Sequence, residues 1–309
     1  MRKQNRRTFL RTVGATVAGG SVLGTAAAEP DDDGIEIHRD VEYRDTPQGT
    51  LTADLYLPDD HEWNATVVWI HGGGWNRGDK QWLAKKAADL ARQGYAGVSI
   101  NYRLSGTARY PAAVTDVKAA IKWVRENAVE YKFDENSIAL VGRSAGAHLA
   151  ALAGTTANDP RFQPEDFDPA VSSRVQGVVG YYGIYDFRPL KNLGPDPAAV
   201  KFLGGTYDEV TERYHEASPA VHVSPDDPPH LLLHGTEDER IPYRASVGYQ
   251  RALEAAGVTG DLFTAPGGGH GFDTTETWYQ PTFDVMNEFL ETHVPNVKGR
   301  RRGGDENTP

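Results

Sequence analysis

The chain has 309 residues, 39% of them apolar, enough for one large domain or two small ones. It has no cysteine, which excludes disulfides, thiolate metal sites, a cysteine nucleophile and a lipid-modified N-terminal cysteine. A net charge of −11, and no apolar run of membrane-spanning length, argue against nucleic-acid partners, anionic lipid and membrane insertion.

The first 28 residues do not read as part of the fold. Arg2, Lys3, Arg6, Arg7 and Arg11 supply five cations with no acid among them. A mild Gly- and Ala-rich stretch follows, and Ala26-Ala27-Ala28 offers a small-residue cleavage site. This order resembles a twin-arginine export signal and predicts an extracytoplasmic or secreted protein. All 43 acidic residues, 25 of them Asp, lie beyond it, and Arg outnumbers Lys 22 to 10. Such a surface suits work in high salt, where screening removes like-charge repulsion.

Residues 29–34, with Asp31-Asp32-Asp33-Gly34, read as a linker. A catalytic domain is expected over 35–295. It opens on the alternating residues Ile35, Ile37, Leu51, Ala53, Leu55 and Leu57 around Pro47-Gln48-Gly49, the pattern of an antiparallel strand pair. From there strands (66–70, 96–101, 137–141, 175–182, 230–234, 261–265) alternate with helices (80–93, from Pro111, 145–153, 245–256, 279–294). That alternation predicts an α/β fold, a mostly parallel central sheet with helices on both faces. Residues 187–228 carry short, Pro-punctuated helical pieces and read as a small cap insertion over the sheet edge where ligands bind. The Arg-rich stretch 296–309 reads as a disordered tail.

Chemistry concentrates at strand ends. Gly142-Arg143-Ser144-Ala145-Gly146 joins a strand to a helix of small residues, the setting in which a serine hydroxyl projects from a sharp turn. His71-Gly72-Gly73-Gly74-Trp75 follows the strand ending at Ile70. Its glycines let backbone N–H groups approach a developing oxyanion. Gly73, Gly74 and Ala145 are the expected donors, the last at a helix start where the dipole favours negative charge. A base must take the serine proton, and His270, in Gly267-Gly268-Gly269-His270-Gly271-Phe272 after the last strand, has the reach. Asp238 after the strand 231–233 is the expected acid, and Asp186 is the second choice. His71, His148 and His234 read as structural. Trp75 and Tyr182 are candidates to line the substrate site.

The run HGGGW, GRSAGAH, HGTED followed by IP, and GGGHGF matches in order and spacing the α/β-hydrolase superfamily, in its esterase/lipase branch. It resembles the carboxylesterase, acetylxylan-esterase and feruloyl-esterase-like (BD-FAE-like) group over about residues 35–294. The resemblance implies the α/β-hydrolase fold, a Ser144–Asp238–His270 triad, no metal and no organic cofactor. It also implies hydrolysis of carboxylic esters of short-acyl or plant-wall type, small or polysaccharide-linked. Arg143 before the nucleophile, where hormone-sensitive-lipase relatives carry an acid, points away from lipid substrates. Two alternatives remain: an arylformamidase-like amide hydrolase, and a non-catalytic binding protein on a hydrolase scaffold.

Overall fold

The computed structural model describes residues 29–31, 34–59, 62–189 and 196–296. The expected export signal, and the expected tail apart from Asn296, lie outside these.

Among the described residues, nine strands form one sheet: β1 (Glu29–Asp31), β2 (Ile35–Thr46), β3 (Gly49–Pro58), β4 (Asn64–Ile70), β5 (Ala96–Ile100), β6 (Phe133–Arg143), β7 (Gly177–Tyr181), β8 (His230–Gly235) and β9 (Gly260–Ala265). Their order is β1-β2-β3-β5-β4-β6-β7-β8-β9. Pairing is antiparallel from β1 through β3 to β5, and parallel from β5 to β9. The parallel part follows from composition. β4, β5 and β7 are buried along their whole length, as strands covered on both faces must be.

The helices are α1 (Ala84–Ala91), α2 (Ala112–Glu126), α3 (Ala128–Tyr131), α4 (Ala145–Thr155), α5 (Pro197–Leu203), α6 (Thr211–Glu216), α7 (Pro219–His222), α8 (Arg244–Ala255) and α9 (Glu276–His293). Strand side chains alternate between two cores. On one face Val68, Ile70, Val98 and Leu140 meet Val114, Val117, Ile121 and Val124 of α2, spaced at helical periodicity. On the other, Val67, Trp69, Val141 and Leu231 meet Ala87 and Leu90 of α1 and Phe283, Met286 and Phe289 of α9.

Two expectations need adjusting. The segment read as linker contributes β1, whose Glu29–Asp31 pair with Ile35–Ile37. Backbone pairing needs no apolar side chains, so an Asp-rich composition does not signal it. Asn296, read as tail, is tied in: its Oδ1 accepts from Ala65 N–H at 2.7 Å, and its Nδ2 donates to the Gly94 carbonyl at 2.8 Å.

His71, His148 and His230 are buried, and burial lowers each to about 4. They stay neutral in the fold, while in the unfolded chain they take up protons below about pH 6.5. Stability is therefore expected to fall as pH drops from about 6.5 toward 4. A melting-temperature series over that range checks this, and a flat profile would contradict it.

Candidate active site

Ser144 leaves β6 with φ 54° and ψ −117°, a conformation that costs a non-glycine residue of order 1–3 kcal/mol. The turn is held because Ser144 N–H donates to the Tyr181 carbonyl of the neighbouring β7 at 2.8 Å, and α4 begins at once. The flanking glycines are required by contact. A Cβ on Gly142 would lie 2.2 Å from the Gly146 carbonyl oxygen, and one on Gly146 would lie 2.0 Å from that of Ile70. Gly146→Ala is thus expected to cost several kcal/mol, a loss beyond that of ordinary mutations. Thermal melting of the purified variant reads it directly.

Three expected residues come together. His270, from the loop after β9, accepts the Ser144 hydroxyl proton at Nε2, the oxygen being 3.1 Å away. From Nδ1 it donates to Asp238 Oδ2 at 2.8 Å. Asp238 follows β8, and its other oxygen accepts the backbone N–H groups of Arg240 and Ile241, both at 2.9 Å. Burial would raise this carboxyl, but hydrogen bonds from His234, His270 and Ile241 outweigh it and hold the group well below the usual carboxylate range. The acid is therefore ionised throughout the neutral range. Asp186, the second choice, pairs instead with Arg188 at 2.7 Å.

The loop after β4 takes positive φ at Gly73 (111°), Gly74 (59°) and Trp75 (57°). It lies against the nucleophile: a Cβ on Gly72 would be 3.3 Å from Ser144 Cβ. The amides of Gly73, Gly74 and Ala145 make no hydrogen bond among the described residues, which leaves them free to donate to an oxyanion beside Ser144. Two cavities meet at Ser144 and His270. The larger, about 720 Å³, has Ile184, Tyr185, Ala198, Ala220, Ile241 and Pro242 in its wall. The smaller, about 450 Å³, includes Asn76, Arg77 and Trp82. Ala198 of α5, within the 187–228 stretch, borders both.

The two aromatic candidates border the cavities, Trp75 the larger and Tyr182 the smaller, though both are mostly buried. Trp75 borders the larger cavity but is 4% exposed. Its ring stacks on Phe202 at 4.7 Å, and its Nε1–H donates to His148 Nδ1 at 3.1 Å. Tyr182 is 2% exposed, its ring 4.6 Å from that of His270 and its hydroxyl turned to Asp273. Each therefore offers a small part of its ring to a cavity wall while the rest packs behind the site. The sequence reading missed Asp273 and the tie from His234 Nε2 to Asp238, 3.3 Å away. The only signal for Asp273 was its place three residues after His270.

This arrangement can attack an electrophilic carbonyl with an activated hydroxyl while holding the resulting negative charge on amide protons. Residues 53–253 match the BD-FAE family profile. Esterase LipC of Mycobacterium tuberculosis is 37% identical over 67% of this chain and 53% of its own length. The chain spans about half the length of the curated relatives it matches. A solved structure described as a truncated carbohydrate esterase from gut microbiota is similar with TM-score 0.73 and 28% identity, covering 84% of this chain and 98% of that one. Thermogutta terrifontis Est2 with butyrate bound is similar at TM-score 0.73 and 26% identity, covering 85% and 96%.

Proposed function

Since the chain belongs to the BD-FAE family of α/β-hydrolases, we propose that it is a serine esterase acting on short-acyl or plant-wall-type carboxylic esters such as acetyl or feruloyl esters. The observation that carries this reading is the relay from Ser144 through His270 to Asp238 beside three uncommitted amides.

In the first half-reaction His270 Nε2 takes the Ser144 proton as Oγ bonds to the ester carbonyl carbon. The carbonyl oxygen gains the negative charge and accepts from Gly73, Gly74 and Ala145 N–H. Asp238 stabilises the imidazolium, which then protonates the leaving alcohol as the C–O bond breaks. Water repeats the sequence on the acyl-enzyme and releases the acid. Each oxyanion donor is worth roughly 3–4 kcal/mol at the transition state.

A cavity of about 720 Å³, mostly apolar but bordered by Arg188, Arg240 and Arg244, is roomy enough for an aromatic acyl group. The carbohydrate esterase and the butyrate-bound esterase among the similar structures support a sugar-linked or short-acyl substrate. The leader-like residues 1–28 support export in the folded state, the property of the signal they resemble. The test is hydrolysis of a chromogenic acetyl ester by wild type and Ser144→Ala, then a panel of acetylated xylan, feruloyl esters and formylkynurenine. Turnover of formylkynurenine alone would replace the esterase by the amide hydrolase. Equal rates for both proteins would remove Ser144 from the chemistry.

A further inference from the structure

Next to the triad lies a buried charged cluster that the proposed acyl transfer does not use. Arg143, immediately before the nucleophile, donates from Nη2 to Asp273 Oδ1 at 3.0 Å and from Nε to the Tyr182 hydroxyl oxygen at 2.6 Å. Tyr182 in turn donates its hydroxyl proton to the same Asp273 oxygen at 2.7 Å. Asp273 is fully buried on the turn Phe272–Thr274, close behind His270 in the chain. Its Oδ2 accepts no hydrogen bond among the described residues and lies 3.6 Å from Lys86 Nζ of α1. Lys86 is 3% exposed, its ammonium lying over the rings of Tyr181 at 5.2 Å and Tyr279 at 4.2 Å.

Three side chains from three separate segments thus converge on one carboxylate. As a device for stability this is a poor choice, because taking each ion out of water is costly and apolar side chains of similar volume often do as well. What an apolar plug would not supply is direction. Arg143 and Asp273 join the chain that carries Ser144 to the chain that carries His270, and Tyr182 is held by both while its ring supports the imidazole at 4.6 Å and 60°.

We propose that Arg143, Tyr182, Asp273 and Lys86 are positioning residues, forming a buried charged clamp that holds the His270 loop in register with the Ser144 turn. The effect on rate rests on the esterase reading, since it acts through His270. The clamp also has an electrostatic consequence. Burial lowers the Lys86 ammonium to about 8, so at neutral pH the cluster carries two cations against one carboxylate. Besides Asp238 at its Nδ1 and this cluster behind Tyr182, the charged groups lining the cavities that His270 borders are Arg77 and Arg240 on one side and Asp186, Arg188, Asp196 and Arg244 on the other. Lys86 itself faces Asp273, Arg143, Tyr181 and Tyr279, with Lys85 beside it on α1. Removing a charge from this cluster changes the field at His270 without touching the triad.

The test pairs kinetics with an NMR titration of His270, its resonance assigned by the His270→Gln spectrum. Asp273→Asn leaves both cations uncompensated and is expected to move the His270 titration down by about half a pH unit. Lys86→Met removes one cation and is expected to move it up by a similar amount. Tyr182→Phe keeps the ring but removes its two hydrogen bonds to the clamp, and kcat on an acetyl ester is expected to fall about tenfold with KM changed less than twofold. Arg143→Lys should retain more kcat than Arg143→Met. Variants that only melt earlier, with wild-type kcat and an unmoved titration, would overturn the clamp. If Asp273→Asn fails to fold, Lys86→Met and Tyr182→Phe decide it. A wild type that hydrolyses no ester would refute the function, whereas the opposed titration shifts test the clamp without turnover.

Discussion

Replacing Ser144 by alanine is expected to lower kcat on an acetyl ester by roughly 10⁴-fold or more, leaving the amide-derived remnant of catalysis over water. The size of the effect follows from the geometry. The hydroxyl 3.1 Å from His270 Nε2 is the atom that bonds to carbon, and no other hydroxyl donates to that imidazole among the described residues. The melting temperature should hardly change, because alanine inherits the same strained φ of 54°. Ser144→Gly separates the two properties. It should be as inactive as the alanine variant but, free of the left-handed penalty, stand about 1 kcal/mol above it, or about 2–4 °C in melting temperature. Substantial turnover by Ser144→Ala, measured after active-site titration to exclude wild-type carry-over, would sink the mechanism.

Asp238→Asn is expected to cost about 10³–10⁴-fold in kcat with little change in KM. One oxygen of the carboxylate accepts two backbone N–H groups and the other accepts His270 Nδ1–H. An asparagine that keeps its oxygen on the backbone must turn its NH₂ toward a ring N–H. The imidazole then carries its proton on Nε2, the wrong nitrogen to receive one from Ser144. The variant should also change the acid limb of stability. Asp238 is held below the ordinary carboxylate range in the fold, so its contribution is present above about pH 4 and lost as pH falls through the depressed folded value. The asparagine variant should lack that decline. Titrating unfolding free energy with pH for both proteins checks the sign.

The site was legible where chemistry writes itself into local strings. Gly142 and Gly146 announce the turn because their missing Cβ atoms are forced by neighbouring carbonyls, a constraint that any sequence with this turn must meet. Gly73 and Gly74 are visible for a related reason, the positive φ their loop requires. The strand–helix alternation was legible because buried parallel strands are uniformly apolar. β6 was underestimated because Asp134-Glu135-Asn136 interrupts its apolar run, although Phe133 already pairs opposite Asn64. The clamp was not legible: Lys86, Arg143, Tyr182 and Asp273 are each ordinary in their own segments and acquire meaning only when four elements meet. Tyr182 and Trp75 show the same limit, since the strand end tells where a ring lies but not which way it faces.

Asn296 has a consequence for how the molecule comes into being. It satisfies the amide of Ala65 at the start of β4, 231 residues earlier, and α9 just before it lays Phe283, Met286, Phe289 and Leu290 over the sheet that β4 runs through. The central strands emerge from the ribosome long before the residues that cover them. Until residue 296 is released, an apolar face of the nascent chain stays open to solvent and to chaperones. For an enzyme exported already folded, as proposed here, synthesis must finish before transport begins.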